Sequence, residues 1–261
     1  MNLTNYGISI NPQGLSGAAA ANYTYKVREH LRWIYLTITG KILFNSIKYH
    51  GLPVVIRPYI KGDCNATGGG EFPGGNPRGF VSYSPDTFSL HGVCPATTSA
   101  QKSGLLWDEI LFHELVHVFR FVSKKWNTPK LYGGLHRYSN KEEFYAVMVT
   151  NIYISDKSNK IKSSLRADHQ GFRPLSKDFD EYFEFFSAGT QVFELVEEFW
   201  KDHPGFSKRV AIDAYEAVFN PLADYHNDKE KARRLSQSAK NRDFTGMLAQ
   251  IINAVDSYLP K

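Results

Sequence analysis

Residues 104–124 read GLLWDEILFHELVHVFRFVSK, from Gly104 to Lys124. On a helix, Leu105, Leu106, Trp107, Ile110, Leu111, Phe112, Leu115, Val116, Val118, Phe119 and Phe121 leave no continuous polar face. A helix that is hydrophobic all round belongs in the middle of a domain. At its centre stand the ionisable side chains of His113, Glu114 and His117, and these are costly to bury without a partner. Residues four apart project from one helical face, so the two imidazoles can share a single Zn²⁺ at about 2.0–2.1 Å each. Glu114 lies beside them and can take a proton from a zinc-activated water, whose pKa falls toward about 7. The stretch therefore predicts a catalytic metal helix, with His113 and His117 as ligands, Glu114 as general base and Zn²⁺ as cofactor. That is the pattern of a metallopeptidase.

The third ligand has to come from elsewhere. Val118–Ser123 contains neither the glycine nor the histidine of an extended His-Glu-x-x-His-x-x-Gly-x-x-His site. The next helical stretch opens Tyr138-Ser-Asn-Lys-Glu-Glu-Phe-Tyr-Ala146, with two adjacent carboxylates. If Ser139 is the N-cap, Glu142 completes a capping box at the third helical position. Glu143 then starts a face shared with Ala146 and Val147, and it is the expected ligand. Acids also favour a helix start for its dipole alone. His136, Asp156 and Asp168 are weaker alternatives. His136, Tyr138, Arg166, Asp168 and His169 are candidates for an oxyanion donor, although surface-loop polarity explains each of them as well.

Outward from the central helix, Val27, Leu31, Ile34 and Ile38 recur at helical spacing from Tyr23, with a break expected at Gly40. Leu52–Ile60 is apolar and β-branched, the best strand in the chain, and Phe80–Ser84 is a second. Between them, 61–79 holds seven glycines and two prolines and reads as a long loop. A further helix is expected from about Ser139 to Ile154, and more follow beyond Asp178, at 179–186, 192–200, 210–219, 229–240 and 244–259. The order gives an α+β fold with a small sheet and a central metal helix. The expected divisions are a flexible segment 1–22, a catalytic core 23–177, and a helical C-terminal region 178–261 packed on it.

Composition narrows the classes. The chain has 261 residues and 42% apolar content, enough for a sizeable core. Lys and Arg exceed Asp and Glu only 31 to 26, and the densest basic run, Lys229–Arg234, includes Glu230. A solvated helix face is expected there, and no nucleic-acid partner. No apolar stretch approaches the roughly 20 residues of a membrane-spanning helix. The two cysteines, Cys64 and Cys94, allow a disulfide or two free thiols. Met1–Asn22 has no basic start and no apolar core of a secretory signal, so the expected location is either the cytoplasm or the outside by a specialised export system.

Three segments together resemble the NleD-like effector metallopeptidases, a zincin family of bacterial effectors and toxin domains. They are Gly79-Phe-Val-Ser-Tyr-Ser-Pro85, Leu111-Phe-His-Glu-Leu-Val-His117, and Glu142-Glu-Phe-Tyr-Ala-Val147 running on to Asn151. The resemblance covers about residues 23–155. It implies a zincin-like core and a zinc endopeptidase, delivered by a bacterium, that cuts a protein or peptide substrate, with a chaperone or secretion-apparatus partner. His113, His117 and Glu114 match the family's metal histidines and base, and its acidic third ligand falls on Glu143. Competing readings are a zinc peptidase or amidase acting on cell-wall peptides, and a non-catalytic zinc-binding interaction protein. An intact Glu114 argues against the last, because a structural site needs no base.

Overall fold

The structure, a computed structural model, describes residues 1–61, 65–88, 106–157, 165–169 and 191–230. The expected helices at 179–186 and 244–259, most of that at 229–240, both cysteines, and the 177/178 division lie outside the described residues. Helix α1 (Gly17–Leu36) buries Tyr23, Val27, Leu31 and Ile34, spaced four, four and three apart. The chain then breaks at Thr37, whose hydroxyl accepts the Gly40 N–H at 2.9 Å and so caps α2 (Ile38–His50). Gly40 is therefore inside the first turn of α2 and does not end a helix. A Cβ at Gly40 would come within 1.9 Å of the Ile34 carbonyl oxygen, so only glycine permits this corner.

Four strands make one small mixed sheet, giving an α+β fold rich in helix. They are β1 (Ile8–Ile10), β2 (Val54–Arg57), β3 (Thr67–Glu71) and β4 (Arg78–Ser82), in the order β1-β2-β4-β3. β1, β2 and β4 run parallel, and β3 pairs antiparallel with β4. Two of these strands depart from the sequence reading. The segment 1–22, expected to be a flexible lead-in, provides β1 and the start of α1, with Ile8 buried beside Val54. The glycine-rich loop expected at 61–79 contains β3, whose sequence is Thr-Gly-Gly-Gly-Glu.

Helix α3 (Trp107–Val122) is buried over nearly its whole length and packs on β3, β4, α1, α2 and α4 (Lys141–Lys157). α3 and α4 run antiparallel, tied at both ends by buried ion pairs. At one end Arg120 meets Glu142 at 2.8 Å, and at the other Lys157 meets Asp108 at 2.6 Å and Glu109 at 2.8 Å. Between the ties, Phe112 stacks on Tyr153 at 4.2 Å. The two ties fix the register of the helices, and with it the side chains that face each other.

Helices α5 (Gln191–Asp202) and α6 (Pro204–Asp213) cover the far side of this pair. Phe199 sits 5.3 Å from Tyr145 and Phe206 5.0 Å from Phe119, ring centre to ring centre. The helix expected at 210–219 ends at Asp213, and 214–219 is a turn whose Phe219 N–H donates to the Ser155 hydroxyl at 2.8 Å. Residues 221–230 are helical again. Among the described residues no helix is long and apolar enough to cross a membrane.

Candidate metal centre

The helical register that the sequence predicts places His113 and His117 one turn apart, both 4% exposed. α4 delivers Glu143 opposite them. Ser139 is not the N-cap, since its φ is +62°; Asn140 takes that role, its side chain accepting the Glu143 N–H at 3.1 Å. The Nε2 atoms of His113 and His117 lie 3.2 Å apart, and Glu143 Oε2 lies 3.2 Å from the first and 3.4 Å from the second. Three ligands bound tetrahedrally to one ion at about 2.0–2.1 Å would be spaced roughly 3.3–3.4 Å apart. The spacing matches, and this buried group can hold a metal ion.

Electrostatics agree with the donor set. Burial lowers the His113 pKa to about 3, against the pull of Glu143, so this imidazole stays neutral with a nitrogen lone pair to offer. At His117 burial also works downward, but hydrogen bonding to Glu143 outweighs it and the pKa rises. Burial pushes the Glu143 carboxyl upward, yet the two imidazoles beside it hold it well below the usual carboxylate range. The Nδ1 atoms of His113 and His117 are buried without a hydrogen-bond partner among the described residues. The usual outer partners of metal-bound imidazoles are thus missing from the described part of the chain.

The chain was compared with protein-family models, with curated proteins and with solved structures. None of them matches it.

Glu142 does not complete the capping box with Ser139 that the sequence suggested. It is 1% exposed, and its carboxylate accepts from Arg120 Nε at 2.8 Å and from the Asn127 N–H at 2.7 Å. Arg120 in turn lies over the Tyr145 ring at 4.4 Å and donates to His203 Nε2 at 2.9 Å. The neighbouring carboxylates thus divide the work: Glu142 locks α4 to α3, and Glu143 faces the histidines. Asp156 is no ligand either, since it accepts the Thr39 N–H at the start of α2 at 2.7 Å. Asp168 is buried outside the ligand group, and the His136 side chain lies outside the described residues.

Two features of the site were missed or underweighted in the sequence. His169, explained there as well by surface polarity, places Nε2 3.0 Å from Glu143 Oε2 with its ring parallel to that of His113. The segment 165–169 is held against α4 by Asn151, whose side chain makes both main-chain hydrogen bonds of Arg166, at 2.7 and 2.9 Å. Arg166 then donates to the Asp168 and His169 carbonyls, at 3.3 and 3.1 Å. The only sequence signal was the polar cluster itself.

The second feature is β3. A Cβ at Gly68 would lie 2.3 Å from the Glu114 main-chain oxygen, and one at Gly70 2.0 Å from the Phe121 ring. Glycine is therefore what lets the strand lie directly on α3. Gly68 also donates its N–H to the Glu114 carboxylate, whose pKa burial raises to about 7 against His117 and this hydrogen bond. In an antiparallel pair, alternate residues turn their N–H and C=O to the partner strand. Since Gly68 turns its N–H to Glu114, Gly68 and Gly70 direct their main-chain groups to the open side of β3, the edge of the sheet.

Proposed function

We propose that this chain is a zinc-dependent endopeptidase of the bacterial effector or toxin type, with a zincin-like core, that hydrolyses a peptide bond in a protein target. The observation that carries the reading is the tetrahedral spacing of the His113, His117 and Glu143 ligand atoms, with Glu114 on the same helix beneath an open strand edge. Two imidazoles and a carboxylate suit Zn²⁺, and three protein ligands leave a position for water or substrate. Bound there, the ion would supply an acidified water and a polarised carbonyl.

The chain's own residues supply the rest. Glu114 accepts the proton of the attacking water and passes it to the leaving amine. The Gly68 N–H orients that carboxylate. An extended substrate adds to the open edge of β3 through main-chain hydrogen bonds, which brings its carbonyls alongside Glu114. His169 Nε2, 3.0 Å from Glu143 Oε2, packs against the third ligand and holds it in its orientation. The effector assignment, with a chaperone or secretion partner and specialised export, draws on the resemblance of residues 79–85, 111–117 and 142–151 to that family.

The test is a proteome incubated with the parent protein and with Glu114→Gln, the cut ends read by mass spectrometry. Both proteins should carry about one Zn²⁺ per chain, and the variant should lose about 10²–10⁴ in cleavage rate. Equal cleavage by Glu114→Gln, or a parent that binds no transition metal, would refute the proposal.

A further inference from the structure

The metal face of α3 does not stop at His117. One turn further on, Phe121 continues it, and two partly exposed rings flank that residue and the glycine strand. Phe72, at the end of β3, is 64% exposed and meets Phe121 edge to face at 5.8 Å. Trp126, just beyond α3, is 40% exposed and lies 5.4 Å from the His117 ring. Its outer edge is 3.7 Å from where a Gly69 Cβ would stand. Gly68, Gly69 and Gly70 carry no side chains, so these two exposed rings stand beside a bare stretch of the open edge. Apolar rings left open beside a buried polar site are a feature of recognition surfaces.

We infer that Trp126, with Phe72, forms the specificity subsite of the peptidase and selects an extended substrate carrying an aromatic or large aliphatic side chain within a few residues of the cut bond. The inference rests on the endopeptidase reading. A chain paired to the edge of β3 turns successive side chains to opposite faces. The set on the face of Gly68 and Gly70 points toward α3, and a side chain of the other set, on the Gly69 face, comes against Trp126. A ring or branched side chain there replaces water against Trp126, which favours such substrates about 10–200-fold over those with a small or charged residue at that place. Trp126 touches substrate in this scheme without taking part in proton transfer, so its loss changes selection and leaves metal binding intact.

The experiment is digestion of a proteome-derived peptide library by the full-length protein and by Trp126→Ala, Trp126→Phe and Phe72→Ala, with zinc content measured for each. The parent should show Phe, Tyr, Trp, Leu or Met enriched at one fixed position near the cut. Trp126→Ala should keep its zinc and lose that enrichment, Trp126→Phe should restore most of it, and Phe72→Ala should weaken it. Cleavage by the parent with no apolar enrichment at any position overturns the subsite but leaves the peptidase standing. Absence of any cleavage by the zinc-loaded parent removes both. If Trp126→Ala loses zinc, the surface ring decides, and an unchanged preference in Phe72→Ala overturns the inference.

Discussion

Replacing Gly68 by alanine tests whether β3 must lie on the metal helix for the site to work. The added methyl would stand 2.3 Å from the Glu114 carbonyl oxygen, 2.9 Å from its carbon and 3.0 Å from its Cα. Ordinary contact begins at 3.4 Å, so the strand and helix must separate by about 3.4 − 2.3 = 1.1 Å. All three obstructing atoms are main chain, and no rotamer change can relieve them. α3 is enclosed on every side, whereas β3 is an edge strand, so β3 is the element that moves. Overpacking of this kind costs about 1–3 kcal/mol, roughly 2–4 °C in Tm per kcal/mol for a chain of this size. The displacement also takes the Gly68 N–H away from Glu114 and shifts the proposed substrate edge by about the same distance, and a 1 Å misplacement can lower a rate about 10²-fold. Gly70→Ala is the control: its methyl meets the Phe121 ring, a side chain that can swing toward solvent, so the loss should be smaller. Zinc content, thermal unfolding and cleavage rate are measured for both variants. Gly68→Ala with the parent's rate and Tm would refute the reasoning.

The two adjacent acids separate cleanly. Glu143→Ala should empty the metal site by elemental analysis with the chain still folded. Glu142→Ala should retain zinc but lower stability to urea by about 3 kcal/mol, because the buried Arg120 loses its nearest carboxylate and keeps only Asp202, at 3.5 Å; the reverse pattern would exchange their roles. His203 gives a pH dependence: burial, and then the Arg120 charge, lower its pKa to about 2. Its folded-state pKa is below the unfolded value, so protonation favours unfolding. The neutral ring's contribution is present above pH ~6.5 and is lost as the pH falls, about 2 kcal/mol between pH 8 and pH 5. His203→Gln should remove that share of the acid slope in urea titrations; an unchanged slope would mean that His203 is protonated in the native state.

What could be read from the sequence was what local periodicity encodes. Repetition of apolar residues around Trp107–Val122 requires a buried helix, and histidines four apart on it must share a face. β3 was illegible because three glycines in a row are the ordinary mark of a loop. Their actual cause is a contact between Gly68 and the Glu114 main chain, far apart in sequence. β1 was hidden for a different reason. With only Ile8, Ser9 and Ile10, it is too short to show alternation, and its pairing with β2 crosses the whole of α1 and α2.

The assignment of Glu142 and Glu143 shows how the acid that faces the histidines can be picked out by a wrong intermediate step. The sequence argument placed the N-cap at Ser139 and gave Glu142 to the cap, which left Glu143 for the metal. The cap is Asn140, so that phase was off by one, and Glu142 is as buried as any core residue. What decides the matter is long-range. Arg120 is the one basic residue on the buried surface of α3, and once His113 and His117 face α4 in the middle of the pair, Arg120 reaches its first turn. A guanidinium enclosed by Tyr145 and Phe199 needs a carboxylate, and Glu142 supplies it. Adjacent helical residues point about 100° apart, so the acid that satisfies Arg120 cannot face the histidines, and its neighbour Glu143 does.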